Sequence, residues 1–326
     1  MRSERLKIRR KPDFRSFFEE MKFLKSFRDL ACFFHKVLFL LPRLTHRVDR
    51  WAMVPPSVQI EPTLRCNFNC ITCCRSQSRR EAGDMDFALF RRIIDDASRI
   101  GTRRIQLFVF GEPLMHPQIV EMIQYVKSKR IAFHLSTNGQ LMDDETGDSI
   151  LRSGVTSEDY ITFSVLGFSR EVHEKVMKGA DHQRVVNNIR GFMRNRKLLG
   201  VNGPVVETVF YSVSENEHEL EAFLRYWSGI VDHAIDGGKA VEAFINQGMP
   251  TRPRTRMCSL LWERMTVLWN GDVVICGEDV NGEYIVGNLR EQSIRDVWLG
   301  KELTEIKKIH KRHQFQKIPI CRFCDW

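Results

Sequence analysis

From residue 57 onward the chain alternates short β-rich runs with amphipathic stretches, and the apolar period switches between 2 and 3.6. That alternation is the mark of a parallel sheet with crossover helices, because parallel neighbours need a long connection between them. Strands read at Val58–Glu61, Ile105–Phe110, Ala132–Ser136, Tyr160–Val165, Val205–Val213 and Ile230–Ile235. Helices read at Phe87–Ile100, Pro117–Lys129, Asp143–Ser153, Arg170–Leu199 with a break near Gly179, and Glu215–Trp227. About six βα units result, short of the eight that close a TIM barrel. The expected fold class is therefore α/β, a partial TIM-like (β/α)6 barrel over residues 57–240.

Beyond Gly237 the character changes. Residues 241–257 read as a linker, with Gly248–Arg256 rich in Pro, Arg and Thr. Met265–Trp269 and Asp272–Cys276 then flank Asn270-Gly271, the dipeptide that best supplies the positive φ angles of a tight hairpin turn. With helical pieces at Ile294–Trp298 and Leu303–Ile309, residues 258–326 read as a separate small α+β domain. Residues 1–56 fit neither pattern. Phe14, Phe17, Phe18, Met21, Leu24, Phe27 and Leu30 recur at helical spacing with basic residues between them. This N-terminal helical arm reads as a cover for the open side of the barrel, as an interfacial helix on anionic lipid, or as a docking arm for a partner.

With 326 residues, 43% of them hydrophobic, the chain can bury a sizeable core, which excludes a disordered chain. The net charge of +9 is concentrated: residues 1–50 hold 14 basic and 6 acidic side chains, so the remainder is nearly neutral. A basic surface for nucleic acid is not expected. No stretch reaches the roughly 20 apolar residues that span a bilayer. Leu30–Leu41 is interrupted by His35 and Lys36, and no small-residue cleavage site follows it. A cytoplasmic location is expected, with peripheral membrane contact through residues 1–50 as an option.

The nine cysteines fall at Cys32, at Cys66, Cys70, Cys73 and Cys74, at Cys258, at Cys276, and at Cys321 and Cys324. Without an export signal, such clustering points to metal or redox chemistry rather than disulfides. Cys66, Cys70 and Cys73 follow the first strand, at the end of a barrel where active sites are built. A closed zinc site takes four protein ligands, whereas a cubane iron–sulfur cluster on three thiolates keeps one iron open. Zinc completed by a histidine or by Cys74 is the alternative. The bland reading of Cys74 is a small buried residue.

Cys66-x3-Cys70-x2-Cys73 after a first strand, with Gly111-Glu112-Pro113 ending the second, resembles the radical S-adenosylmethionine (SAM) superfamily. The resemblance implies a [4Fe–4S] cluster on those three cysteines, whose open iron chelates the methionine moiety. It implies that Gly111, Glu112 and Pro113 lie at the amino group, and that Ser136 and Asn138 of Ser136-Thr137-Asn138-Gly139 approach ribose and carboxylate. Ser164 and Lys178 are implied as supporting contacts. The chain departs from the family pattern at Thr72, where an aromatic residue is usual, at Leu166 in place of an Asp, and at Lys178 in place of an Arg.

Cys258, Cys276, Cys321 and Cys324, with Gly287-Asn288-Leu289 and Trp298 between them, resemble the SPASM auxiliary-cluster domain in its single-cluster twitch form. That implies a second [4Fe–4S] cluster with every iron ligated by protein, against a four-cysteine zinc knuckle as the alternative. Together the resemblances imply reductive SAM cleavage to a 5′-deoxyadenosyl radical, fed by a flavodoxin- or ferredoxin-type reductant, and hydrogen abstraction from substrate. The single-cluster form resembles that of aminocyclitol dehydrogenases. The expected reaction is therefore a two-electron oxidation or related modification of a sugar- or cyclitol-like molecule. Glu278 and Asp279, just beyond Cys276, are the candidate proton acceptors. Maturation of a peptide is the competing enzyme reading, and a zinc-stabilised, membrane-docked binding module the non-enzyme one.

Overall fold

A computed structural model describes residues 8–9, 53–239 and 253–324. The Phe14–Leu30 repeat of the arm, Cys32 and the linker segment 240–252 lie outside the described residues. Six parallel strands form the barrel: β1 Ser57–Ile60, β2 Arg104–Leu107, β3 Ala132–Thr137, β4 Tyr160–Ser164, β5 Val205–Ser212 and β6 His233–Lys239. They pair in chain order, and the sheet does not close on itself. Helices α1 Phe87–Ile100, α2 Ile119–Ser128, α3 Asp144–Leu151, α4 Arg170–Val176, α5 His182–Leu198 and α6 Leu220–Trp227 cross over between them. Side chains fix the starts of several. The carboxylates of Asp86, Asp143 and Asp181 and the Ser169 hydroxyl each accept a backbone N–H of the first turn.

The C-terminal part does not stand apart from the barrel. Its first strand, β7 Arg264–Val267, pairs in parallel with β1 over Ser57↔Arg264 to Ile60↔Val267. β8 Asp272–Val274 and β9 Ile285–Asn288 then continue the sheet antiparallel. At the other edge Ile8–Arg9 pairs in parallel with Ala234–Ile235 of β6. An unfinished barrel leaves two edges of unpaired N–H and C=O groups, and here each edge is occupied by a segment from one end of the chain. The C-terminal helices are α7 Leu260–Glu263, α8 Ile294–Trp298, α9 Lys301–Lys311 and α10 Pro319–Arg322.

Parallel strands covered on both faces usually read as unbroken apolar runs. These alternate. Val58, Ile60, Ile105, Leu107, Phe133, Leu135, Ile161, Phe163 and Val206 are fully buried and share one core with α1, α2, α3, α5 and α6. The residues between them, on the inner wall of the barrel, are polar and bond across strands. Thr266 Oγ1 donates to Gln59 Oε1 at 3.1 Å, and Arg264 Nη1 to Gln106 Oε1 at 3.3 Å. His134 Nε2 lies 2.8 Å from Thr162 Oγ1, which in turn donates to Glu207 Oε2 at 3.3 Å. Burial, then the charges of Arg104 and Arg264, holds His134 down to about 3, so this imidazole is neutral.

Candidate active site

The loop after β1 carries Cys66, Cys70 and Cys73 and is pinned from two sides. The Arg65 carbonyl accepts the Glu112 N–H at 2.8 Å, while Asn69 N–H donates to the Lys178 carbonyl at 2.8 Å and Ile71 N–H to the Val176 carbonyl at 2.9 Å. The break between α4 and α5 is therefore what reaches the loop. Close approach demands glycine at both supports. A Cβ on Gly111 would lie 1.9 Å from the Thr63 carbonyl oxygen, and Gly179, at φ +98°, would place one 2.9 Å from the Asn67 carbonyl oxygen.

Burial pushes the Cys70 thiol up to about 12, with Cys73 and Cys66 as the neighbouring charges that add to it. Burial also raises Cys66, against the Phe68 N–H that donates to its Sγ at 3.4 Å. Arg75, which donates to the Phe68 carbonyl at 2.9 Å, pulls both thiols down. Crowded, buried thiols of this kind are stabilised when a metal centre displaces their protons. Asn67 Nδ2 beside them is a buried donor with no partner, available to a sulfide or carboxylate acceptor. Among the described residues no three Cys, His, Asp or Glu side chains converge closely enough to hold a single metal ion. The donor set fits a cubane, whose irons stand at separate corners, better than one tetrahedral ion.

Glu112 does something the sequence does not announce. Its buried carboxylate accepts the Thr137 hydroxyl at 2.7 Å, the Asn138 N–H at 2.8 Å and the Leu114 N–H at 3.0 Å. Three of its roughly four acceptor positions are thus taken by the chain itself, where a contact to an amino group is expected. Burial raises its pKa, against those three donors. The side chain ties the ends of β2 and β3 together. Pro113 opens the short turn behind it. Asn138 Nδ2 donates to Asn67 Oδ1 at 2.8 Å, joining β3 to the thiol loop. Ser136 and Ser164 are half-buried at the strand ends, and Lys178 contributes its backbone carbonyl while its side chain is exposed.

The second thiol set is gathered from distant segments. Cys258 and Cys321 are buried, and Cys276 and Cys324 half-buried. Burial pushes Cys321 up to about 12, with Cys324 and Cys258 adding, and Arg254 opposing. Cys276 is raised by burial, then by Glu278, with Cys258 and Cys324 adding, while Glu278 N–H donates to its Sγ at 3.4 Å. His310, fully buried, takes the Cys258 N–H on Nδ1 at 3.4 Å. Four mostly buried thiols, one of them with an N–H donor to its sulfur, fit a fully ligated cubane.

A polar strap brings the two sets together. Ser78 Oγ donates to the Val280 carbonyl, Arg79 N–H to Asn281 Oδ1, and Arg80 Nε to the Val280 carbonyl at 2.8 Å. Arg80 also forks onto the buried Glu61 at the end of β1, at 2.7 and 2.8 Å. Glu278 consequently sits where its charge raises Cys74 of the first loop, Cys276 of the second set and the Tyr211 hydroxyl at the end of β5; burial is the larger cause at all three. Asp279 has another job. Its two oxygens accept the Glu283 N–H at 2.9 Å and the Tyr284 N–H at 2.8 Å, closing the turn after Cys276, and it is 2% exposed. Both carboxylates lie against the thiols: Asp279 closes this turn while its charge adds to the rise at Cys321, and Glu278 acts on Cys276 and Cys74.

The Radical SAM superfamily profile matches residues 60–249, and that of an iron–sulfur cluster-binding domain, SPASM, matches residues 258–325. The chain belongs to the radical SAM superfamily. A tungsten-containing aldehyde ferredoxin oxidoreductase cofactor-modifying protein of Pyrococcus furiosus is 25% identical over 81% of this radical SAM enzyme and 86% of that protein. The S-adenosyl-L-methionine-dependent 2-deoxy-scyllo-inosamine dehydrogenase of Niallia circulans is 23% identical over 82% and 92%. Among solved structures, BtrN in complex with AdoMet and 2-DOIA aligns with a TM-score of 0.58 at 21% identity, covering 84% of this chain and 94% of that one. Streptococcus suis SuiB bound to precursor peptide SuiA aligns with a TM-score of 0.58 at 15% identity, covering 87% and 72%. These likenesses show the fold, a partial barrel. The two matched domains make the cofactors SAM and two [4Fe–4S] clusters. Among the described residues no helix is long and apolar enough to cross a membrane.

Proposed function

We propose that this radical SAM enzyme oxidises a secondary alcohol of a sugar- or cyclitol-like small molecule. Cys66, Cys70 and Cys73 hold the SAM-binding cluster in this reading, and Cys258, Cys276, Cys321 and Cys324 the auxiliary one. When bound, these groups supply hydrogen-atom abstraction from an unactivated C–H bond and an acceptor for the electron released afterwards.

The observation that carries the choice of substrate is the inner wall of the barrel. Gln59, Gln106, His134, Thr162 and Glu207 offer donors and acceptors strand by strand where a barrel usually packs branched apolar side chains. Such a wall, already bonded across its strands, can share its donors and acceptors with a ligand that carries several hydroxyl groups and offers little apolar surface to any other. Likeness to the cyclitol dehydrogenase points the same way. Glu278, between the two thiol sets, takes the hydroxyl proton; Tyr211 beside it orients that hydroxyl. The glycine-supported loop holds the three thiols in place at the carboxyl end of β1.

Incubating the enzyme anaerobically with SAM, a reductant and carbon-deuterated cyclitols, sugars or peptides tests this reading. Deuterium is expected in 5′-deoxyadenosine from a cyclitol or sugar, with a ketone product. Transfer from a peptide alone would replace this reading with peptide maturation, the activity class that the likeness to SuiB suggests.

A further inference from the structure

Arg254 falls in a segment that reads as linker, yet its side chain is 8% exposed. Its backbone N–H donates to the Arg322 carbonyl at 2.9 Å, and its Nε to the Arg256 carbonyl at 2.6 Å. Its Nη1 lies 3.4 Å from the Cys324 carbonyl, and its guanidinium sits 5.9 Å from the Phe315 ring centroid. These contacts fix a cation on the segment that carries Cys321 and Cys324.

We propose that Arg254 is the countercharge of the auxiliary cluster and raises its reduction potential. The inference rests on the reading of Cys258, Cys276, Cys321 and Cys324 as cluster ligands. A cubane on four thiolates is anionic, and reduction adds one more negative charge to a buried site. A fixed cation in a poorly screened interior stabilises the reduced state more than the oxidised one. Arg254 is a positioning residue for electron transfer: it touches the ligand segment, not the substrate. Arg75 has a corresponding relation to the first thiol set, bonded to a backbone carbonyl of its own loop.

The test is an anaerobic redox titration of the full-length holoenzyme followed by electron spin resonance, with the auxiliary signal recognised because added SAM leaves it unchanged. Arg254→Gln keeps hydrogen bonding without the charge, and Arg254→Lys keeps the charge. The Gln variant is expected to disfavour reduction by about tenfold, about 59 mV for one electron, with the SAM-responsive cluster unmoved. The Lys variant is expected to restore most of that. An unchanged auxiliary midpoint in the Gln variant at full iron content overturns the proposal. If the Gln variant loses auxiliary iron while the Lys variant keeps it, charge is required for assembly, which supports the countercharge. Loss in both would mean that the carbonyl contacts alone matter and would overturn it. A wild-type protein with zinc and no SAM-insensitive iron signal would instead remove the ligand reading on which the proposal stands.

Discussion

The two thiol sets differ in how the chain brings them together. Cys66, Cys70 and Cys73 lie on one loop whose shape is set by backbone hydrogen bonds to Glu112, Val176 and Lys178. Cys258, Cys276, Cys321 and Cys324 come from three separated segments and meet only once β7, β8 and α10 have packed. A local set of three donors in the Cys66-x3-Cys70-x2-Cys73 spacing leaves one corner of a cubane without a protein ligand. A set gathered from four positions is closed. The open set therefore suits a cluster that must bind a ligand, and the closed set one that only exchanges electrons.

The largest expected effects separate these roles. Cys70→Ala should reduce iron from about eight to about four per chain and abolish 5′-deoxyadenosine formation, read by metal analysis and chromatography. Cys321→Ala should also lower iron but leave reductive SAM cleavage in place while product formation stops. Full turnover by the Cys321 variant would dissolve the distinction between an open and an electron-accepting site.

Gly111→Ala should act on one set only. Its Cβ would meet the Thr63 carbonyl oxygen at 1.9 Å and the Arg65 carbonyl oxygen at 2.8 Å, both backbone atoms of the thiol loop. Overpacking of this kind costs about 1–3 kcal/mol and here is relieved by displacing the loop. Loss of the SAM-responsive iron signal with the other signal intact is the expected outcome, together with a lowered thermal midpoint. Wild-type SAM binding by this variant would show that the loop is not held where Gly111 places it.

Much of this was legible in the order of residues. Phe87–Ile100 and Ile294–Trp298 are found at the expected boundaries because Asp86, Gly101 and the Ser293–Asp296 capping box punctuate them. The break at Gly179 was legible too, though not that its carbonyls carry the thiol loop. The pairing of β7 with β1 was not, because an open strand edge is a property of the assembled sheet and leaves no local mark. Arg254 looked like linker for the same reason: its burial depends on Phe315 and Arg322, more than 60 residues away. The alternation Val58-Gln59-Ile60 and Ile105-Gln106-Leu107 was on the page as a period-2 signal, but only the register shows that the polar residues of neighbouring strands stand side by side.

The smallest effect concerns the carboxylate between the two sets. Glu278→Gln is nearly isosteric and removes the carboxylate proposed to take a proton, whereas Asp279→Asn removes an acceptor that closes a turn. If Glu278 is the proton acceptor, its Gln variant should bind both clusters, cleave SAM and form product about 10²-fold more slowly or worse, with substrate affinity little changed. The Asn variant should instead lose thermal stability by about 1–3 kcal/mol, because the Glu283 or Tyr284 N–H is left without its charged acceptor. Comparing product formation per SAM cleaved with the melting midpoint distinguishes the two. A Glu278→Gln enzyme that couples cleavage to product as the wild type does would overturn its role as the proton acceptor.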